Sequence, residues 1–330
     1  MATYKEIRGS QIEAVATDPS NPVEGQVWYN TTSNELKGQA VTATGSWATT
    51  GNLNQARNQL SAAGQAPRAT SLVFSGFNNP TAYAQTELFN GSSWTELNDV
   101  NHAAAGRFGF GISTAAIAAG GYTAPPGSTT NTEIWNGTNW TEVNDLNAGA
   151  YLGGSAGANS TAGLAFGGIT TPPFGILAKN EEWNGTNWTE TTDLNTGRYS
   201  LAGVGANTEA ALGFGGNSPS ITGVTESWNG SNWTEVNDLN TARTGLAGAG
   251  IYTSALAFGG DTPPISALAE VWNGTNWTED GDLNTARSFL TGGGSSSAAI
   301  AAGGQEPSNS NAAEVWTGAG AGVTRTFTDS

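Results

Sequence analysis

One hexapeptide constrains this chain more than any other feature. Trp272–Asn273–Gly274–Thr275–Asn276–Trp277 reads as two strand ends joined by a tight turn. Near copies stand at Trp135–Trp140, Trp183–Trp188, Trp228–Trp233 and, with Phe in first place, Phe89–Trp94. The second Trp recurs at 94, 140, 188, 233 and 277, in steps of 46, 48, 45 and 44 residues. Each copy follows a Glu and precedes Thr-Glu, and an Ala/Gly-rich run ending in Gly-Gly precedes it (degenerate at Ser75–Gly76). Repetition at this period means one supersecondary unit used many times, so 330 residues need not mean two ordinary domains.

Residues 243–283 show the unit in full. Leu246–Ile251 is a small-residue strand, Ser254–Gly259 a second, Ala269–Trp272 a third, and Asn276 to Glu279 a fourth. Asn-Gly between the last two is a hairpin signal, because both residues accept positive φ. The connection between the second and third strands varies most and is rich in proline: Ala124–Pro125–Pro126, Pro172–Pro173, Pro219, Pro263–Pro264, Pro307. Variable loops of a repeat array gather on one face, where binding diversity usually sits. Four strands per repeat of this length is the signature of a β-propeller blade. Helical and leucine-rich solenoids need a different periodicity, and a β-helix a shorter repeat.

The Gly-Gly marks and the second-Trp marks are each six in number but are offset. Trp47 precedes the first Gly-Gly, and Gly303–Gly304 follows the last Trp. The strand carrying Trp47 is therefore expected to complete the blade formed by Ser288–Thr291, Ala298–Ala302 and Ala313–Trp316, which protects an edge. The Val323–Arg325–Phe327 segment competes for the same position. The expected division is an adaptor arm over 1–25, a hairpin and ring-closing strand over 26–47, and propeller repeats over 48–330. The arm holds Lys5, Glu6 and Arg8 and the turn-rich Asp18–Pro19–Ser20–Asn21–Pro22.

Gly accounts for 47 residues and charged residues for only 12%, a balance that could mean disorder were there not twelve regularly spaced Trp. Each buried Trp removes roughly 150–250 Å² from water, or roughly 4–6 kcal/mol gross as an upper bound. A core can therefore form with modest aliphatic content. The net charge of −16, with 11 Lys plus Arg, argues against binding nucleic acid through its phosphates and against anionic membrane surfaces. No cysteine is present, which excludes disulfides, thiolate nucleophiles and thiolate metal sites. MATYKEIRGS has no apolar core of signal-peptide length, and no run of about 18 apolar residues occurs, so neither a classical signal nor membrane insertion is expected.

Leu256–Ala257–Phe258–Gly259–Gly260 followed by Trp272 and Trp277 resembles the kelch repeat, within the wider group of propellers that includes the galactose oxidase central domain. The family usually has Tyr where this chain has Trp or Phe. The resemblance covers roughly residues 50–320. It implies an all-β fold: a six-bladed kelch-like β-propeller closed by N- and C-terminal segments, behind a short N-terminal adaptor arm. In this reading Trp47, Trp94, Trp135, Trp140, Trp183, Trp188, Trp228, Trp233, Trp272, Trp277 and Trp316 are structural, packing neighbouring blades. The copper chemistry of galactose oxidase relatives needs histidines and a cysteine-linked tyrosine. His102 is the single histidine and reads as a surface residue, so that chemistry is excluded.

No other catalytic constellation stands out, and an enzyme is not expected. Asp99, Asp145, Asp193, Asp238 and Asp282, with Glu96, Glu142, Glu190, Glu235 and Glu279, could form a carboxylate ring for Ca²⁺, but turn capping and solvated strand faces explain them without a metal. No metal or cofactor is expected. The series Arg57, Arg107, Arg198, Arg243 and Arg287, broken by Ala150, reads as structural, bridging to carbonyls or a neighbour's Asp; a ring capturing an anionic ligand is the alternative. Asn90, Asn136, Asn184, Asn229 and Asn273 match the glycosylation pattern, and turn chemistry already accounts for them. Phe77, Tyr122, Phe174 and Tyr252 are aromatic candidates at loops or strand ends; Tyr122, Phe174 and Tyr252 are the chosen loop contacts, because aromatic faces pack on sugar rings.

The stretch from Asp18 to Asn30, with Leu36–Lys37–Gly38, is similar to leader segments of structural proteins of marine tailed bacteriophages. This implies a virion component, a tail fibre or appendage, made in the host cytoplasm. It would meet other virion proteins through residues 1–47, assemble with copies of itself, and contact a host-surface glycan or protein through propeller loops. The alternatives are a purely architectural decoration protein and a bacterial surface glycan-binding propeller.

Overall fold

The computed structural model describes residues 12–20, 25–41, 44–123, 127–320 and 322–327. Lys5, Glu6, Arg8, Asn21, Pro22, Val23, Glu24 and the Ala124–Pro125–Pro126 loop lie outside the described residues. The chain divides into two compact units, Met1–Gly45 with Gly318–Ser330, and Ser46–Thr317. No helix among the described residues is long and apolar enough to cross a membrane.

The smaller unit holds one four-stranded sheet. Val27–Asn30 and Glu35–Val41 form the expected hairpin, with Val27 opposite Gly38 and Asn30 opposite Glu35. Glu13–Val15 adds in parallel to one side. Gly322–Phe327 adds antiparallel to the other. The C-terminal strand thus lies outside the repeat unit, because its backbone pairs with residues 36–41. Asp18 ties the hairpin together. Its carboxylate accepts hydrogen bonds from Asn30 Nδ2, Trp28 Nε1 and Lys37 Nζ at 2.7, 3.0 and 2.9 Å, and these hold its pKa at about 2.

The larger unit is a propeller-like all-β fold made of four-stranded antiparallel sheets. In chain order, sheet 1 starts at Ser61–Ala62, sheet 2 at Phe108–Ile112, sheet 3 at Gly154–Asn159, sheet 4 at Ala202–Asn207, sheet 5 at Ala247–Ile251 and sheet 6 at Thr291–Ser295. Sheet 5 shows the common pattern: Ala247–Ile251, Ser254–Phe258, Ala269–Trp272 and Trp277–Asp280, each paired with the next. The expected strands of this repeat agree to within about a residue at each end. Sheet 6 takes its fourth strand from far upstream: Ser46–Thr49 pairs with Ala313–Thr317, setting Trp47 opposite Trp316. Of the two segments that could occupy this place, it is therefore the one carrying Trp47 that does.

The Trp pairs form the seams. The first Trp of each hairpin is buried and caps the turn between the first two strands; Trp135, Trp183, Trp228, Trp272 and Trp316 donate Nε1–H to the carbonyls of Ser113, Ser160, Thr208, Tyr252 and Ser296. The second lies about 5 Å away across the strand pair, and in sheets 2, 4, 5 and 6 it meets a second-strand Phe of the preceding sheet. Trp140, Trp233, Trp277 and Trp47 have ring centroids 4.9, 4.7, 4.8 and 4.9 Å from Phe74, Phe166, Phe214 and Phe258. The same Phe rings need glycine on their other side: a Cβ on Gly248 would come 2.8 Å from Phe214 Cζ, and one on Gly292 2.3 Å from Phe258 Cζ. The glycine-rich first strands are thus a packing requirement. Apolar clusters join every consecutive pair of sheets, and Leu60, Val73, Phe89 and Trp94 of sheet 1 join Ile300, Ala302 and Ala313 of sheet 6.

The Asn-Gly turns differ from the expectation. Only the glycine has positive φ (Gly137 +92°, Gly274 +92°). The asparagine stays out of the left-handed region and uses its side chain: Asn273 Oδ1 accepts the N–H of Thr275 and Asn276 at 2.9 Å, an Asx turn closing a four-residue loop. The fourth strands also reach across the seams, as Asn237 Nδ2 donates to Thr275 O and Asn276 Oδ1 of the next sheet's turn.

Candidate functional site

Strand direction places the Asn-Gly turns at one end of the sheets and the Pro-rich loops at the other. The loop end is organised by six residues, each two positions before a first strand: Gln59, Gly106, Leu152, Ser200, Gly245 and Phe289. All six have φ between +51° and +61°. Each receives a hydrogen bond from one neighbour and donates one to another. Gly106 N–H donates to Gln59 O, Leu152 to Gly106, Ser200 to Leu152, Gly245 to Ser200, Phe289 to Gly245, and Gln59 to Phe289, all at 2.6–2.8 Å. For Gln, Leu, Ser and Phe this conformation is costly, by roughly 1–2 kcal/mol each. The circuit of bonds compensates by pairing backbone groups that turn inward.

The circuit surrounds a cavity of about 90 Å³ whose wall includes Phe289 and Ser200; the Ser200 hydroxyl is buried and has no hydrogen-bond partner among the described residues. A second cavity of about 130 Å³ is lined by the first strands of all six sheets. The Gly64–Gln65 segment crosses its far end. Gln65 N–H donates to Gly111 O, Gln65 Nε2 to Gly250 O, and Gly64 O accepts from Gly294 N–H.

Outside the circuit, each preceding residue bridges to the residue after the Gly-Gly mark: Asn58 to Phe77, Ala105 to Tyr122, Tyr151 to Ile169, Tyr199 to Asn217, Thr244 to Asp261, and Ser288 to Gln305. This shell is unequal. Over sheets 1 to 4 each pair contributes one aromatic ring: Phe77, Tyr122 and Tyr151 run in contact with centroids 6.4 and 5.2 Å apart, and Tyr199 is met edge-on by Phe174 of the adjoining loop at 6.5 Å. Over sheets 5 and 6 it is polar: Thr244, Asp261, Ser288, Gln305. Phe174 is 66% exposed, Tyr122 half-buried. The structure thus brings Phe77, Tyr122 and Phe174 to one face and sends Tyr252 to the other end, in the turn beside Thr253 and Trp272. Tyr151 and Tyr199 were missed by sequence reading. Their signal was their place three residues before the start of a first strand, paired with the residue after the Gly-Gly mark.

The arginines are not a ligand ring. Arg57, Arg107, Arg198, Arg243 and Arg287 are buried, each against the Glu that precedes the first aromatic residue of its hairpin: Glu87, Glu133, Glu226, Glu270 and Glu314, at 2.7–3.1 Å. The expectation of an Asp partner is corrected: Asp99, Asp145, Asp238 and Asp282 instead accept the N–H of Thr86, Thr132, Thr225 and Ala269 at the start of the third strand. The carbonyl half of the expectation is seen, as Arg243 Nη1 donates to Gly259 O and Leu268 O at 2.9 and 2.5 Å. Burial pushes the guanidinium pKa down, and the paired Glu pulls it back in part. At Glu133 burial acts upward, but Arg107 and the N–H groups of Asn101 and His102 outweigh it and leave the carboxyl below its usual range.

Arg107 is out of register. The other arginines stand three residues after their Asn (Asn54–Arg57, Asn195–Arg198, Asn240–Arg243, Asn284–Arg287), whereas Arg107 stands six after Asn101. Ala104 holds the register position, and Arg107 reaches Glu133, Ala118 O and Asn131 O from the position where sheets 1, 4, 5 and 6 have Leu. His102 is partly exposed, with Nδ1 3.7 Å from Glu133 Oε1. Among the described residues no group of three or more His, Asp or Glu could hold a metal ion. A scan against protein-family models and a search of curated proteins find no match to this chain.

Proposed function

We propose that the six sheets are the blades of a kelch-like six-bladed propeller closed by Ser46–Thr49, and that the chain is a non-enzymatic binding protein whose working face is the aromatic half of the loop end. The observation that carries this reading is the unequal shell, in which Phe77, Tyr122, Tyr151 and Tyr199, with Phe174 beside Tyr199, stand over adjacent sheets while the corresponding pairs of sheets 5 and 6 hold no aromatic residue. Half-exposed aromatic rings on a rigid scaffold suit the apolar faces of sugar rings, with Asp261 and Gln305 as hydroxyl partners. The circuit of six hydrogen bonds and the seam between sheets 6 and 1 support the closed ring.

The leader resemblance supports a virion setting: a tail-fibre or appendage component, joined to other virion proteins through residues 1–47 and assembled with copies of itself, that presents this face to a host-surface glycan. Binding of purified protein to host cells and their envelope polysaccharides tests the reading. Phe174→Ala with Tyr199→Ala should weaken binding about tenfold or more, the loss of roughly 1.4 kcal/mol or above. Tyr252→Ala, at the opposite end, should leave it unchanged. Absence of binding, or equal loss from all three substitutions, rejects it.

A further inference from the structure

One corner of the aromatic half carries more of a built subsite than the rest. It lies where the loop of sheet 3 meets sheet 4. That loop is a two-stranded ribbon, Ile169–Thr170 against Gly175–Ile176, with Phe174 at its tip. Ser128 of the neighbouring loop braces the ribbon, donating its N–H and Oγ to Thr171 O at 2.8 and 3.0 Å. Phe174 meets Tyr199 edge-on, so two rings stand together at this corner. Tyr199 exchanges backbone hydrogen bonds with Asn217 at 3.2 and 2.9 Å, which fixes the loop of sheet 4 beside it.

The polar groups left over here are uncharged. Thr171 Oγ1 and Asn217 Oδ1 turn inward and have no hydrogen-bond partner among the described residues, although both side chains are only half-buried. The hydroxyl of Ser200, next to Tyr199 and 5% exposed as a residue, is likewise without a partner among the described residues. Turning the Thr171 or Asn217 side chain outward breaks no hydrogen bond of its oxygen, and such rotamer changes are common on binding. An amide and two hydroxyls can pair with sugar hydroxyls in either direction, and none of them balances a charge.

The charges at this end act against an anion. Arg57, Arg107, Arg198, Arg243 and Arg287 are each committed to a buried Glu, and Lys179, three residues past the ribbon, pairs with Glu190. Every described Lys and Arg at the loop end therefore already faces a carboxylate. Carboxylates, by contrast, are open: Asp99, Asp145, Asp238 and Asp282 are exposed where they cap the third strands, and Asp261 is half-buried beside the shell.

We propose that this corner is the primary subsite of the binding face, and that it takes a hydroxyl-rich sugar residue without carboxylate, sulfate or phosphate. The proposal rests on the glycan-binding reading above and narrows it. The apolar face of the sugar packs on Phe174 and Tyr199, and its hydroxyls pair with Thr171 and Asn217. A carboxylated sugar would bring a charge that nothing here neutralises toward a chain of net charge −16, a repulsion that salt screens.

Binding of the full chain to matched polymers at low and high salt tests this. The pairs are glucan, mannan and galactan against polyglucuronate, polymannuronate and polygalacturonate, and host-envelope polysaccharide before and after chemical reduction of its carboxylates. An uncharged member should bind, and its carboxylated counterpart should bind at least about tenfold more weakly at low salt, the gap narrowing at high salt. Phe174→Ala should lower the affinity for the uncharged polymer about tenfold and Asn217→Ala about threefold, while Asn217→Lys should raise uronate binding about fivefold. Carboxylated polymers bound as tightly as uncharged ones, with loss on Phe174→Ala, overturn the charge selection and leave the glycan reading standing. Binding of an uncharged polymer that is indifferent to Phe174→Ala and Asn217→Ala overturns the subsite. No binding to any of these polymers ends the glycan reading and this proposal together. The comparison of matched polymers uses the wild-type chain and stands even if a variant does not fold.

Discussion

Sheets 5 and 3 are built from the same repeat and solve the same interior problem differently. In sheet 5, Arg243 fills the space beside Glu270 and spends its remaining donors on two carbonyls. In sheet 3, Ala150 leaves Glu181 to N–H donors, and Phe108 from sheet 2 packs against Gly153 and lines the space beside them. The seams differ in step. Phe214, from the second strand of sheet 4, meets Trp277 at 4.8 Å with the rings tilted by 59°, whereas Phe110, from the first strand of sheet 2, meets Trp188 edge-on at 6.2 Å. Sheet 2 lies between the two solutions, with its guanidinium arriving from three residues further along. The repeat therefore holds the carboxylate, which organises the incoming loop through Asn, and leaves the source of the cation open.

The largest expected effect is at the regular site. Arg243→Ala strands Glu270 and should cost about 3–5 kcal/mol, roughly 10 °C or more in Tm by calorimetry. A loss under about 1 kcal/mol would mean that the two sheets do not differ in kind. Next, Trp277→Ala and Trp188→Ala should each cost about 3–5 kcal/mol, with Trp277 the more damaging by about 0.5–1 kcal/mol because its Phe contact is closer. Equal losses in denaturant titrations would remove the distinction between the seams.

Gly153→Ala, which drives a methyl into Phe108 and Phe166 O, should cost about 1–3 kcal/mol. Adding Phe108→Leu should recover part of it, and no recovery would show that the backbone contact dominates. The smallest effect belongs to an exposed carboxylate, the counterpart of the buried ones. Asp18 is held at about 2, below its unfolded value, so its contribution is complete above the unfolded pKa and is lost as pH falls through the folded one. A carboxyl-carbon NMR titration should place its midpoint near 2, and Asp18→Asn should disturb the hairpin of residues 27–41 without altering the unfolding of the larger unit.

Much of the fold was legible because its information is local. The spacing of the Trp pairs, the small-residue strands and the offset of Trp47 are patterns within a few residues, and strands follow from them. The Asn-Gly turns were legible in place but not in mechanism, since only coordinates show that Asn contributes a side-chain oxygen and ordinary φ. Of the candidate face, Tyr122 and Phe174 were readable as loop aromatics, while Tyr151 and Tyr199 were hidden beside strands. Tyr252 lies in a turn, as a loop aromatic should, but at the opposite end from Tyr122 and Phe174, because which end of a strand a turn occupies is a matter of topology.

What the sequence determined by itself was the repeating four-stranded unit and the strand at Trp47 that serves a sheet some 250 residues away. Period and offset survive in one dimension. What the tertiary structure decided was which charge meets which. Arg107 belongs by sequence to one series, yet it reaches Glu133 from a different backbone position, and among the described residues Glu181 meets N–H donors where its counterparts meet an arginine. A guanidinium at the end of a long side chain can enter one slot from several sequence positions. Only the packed interior, where each buried carboxylate must find its partners, selects among them.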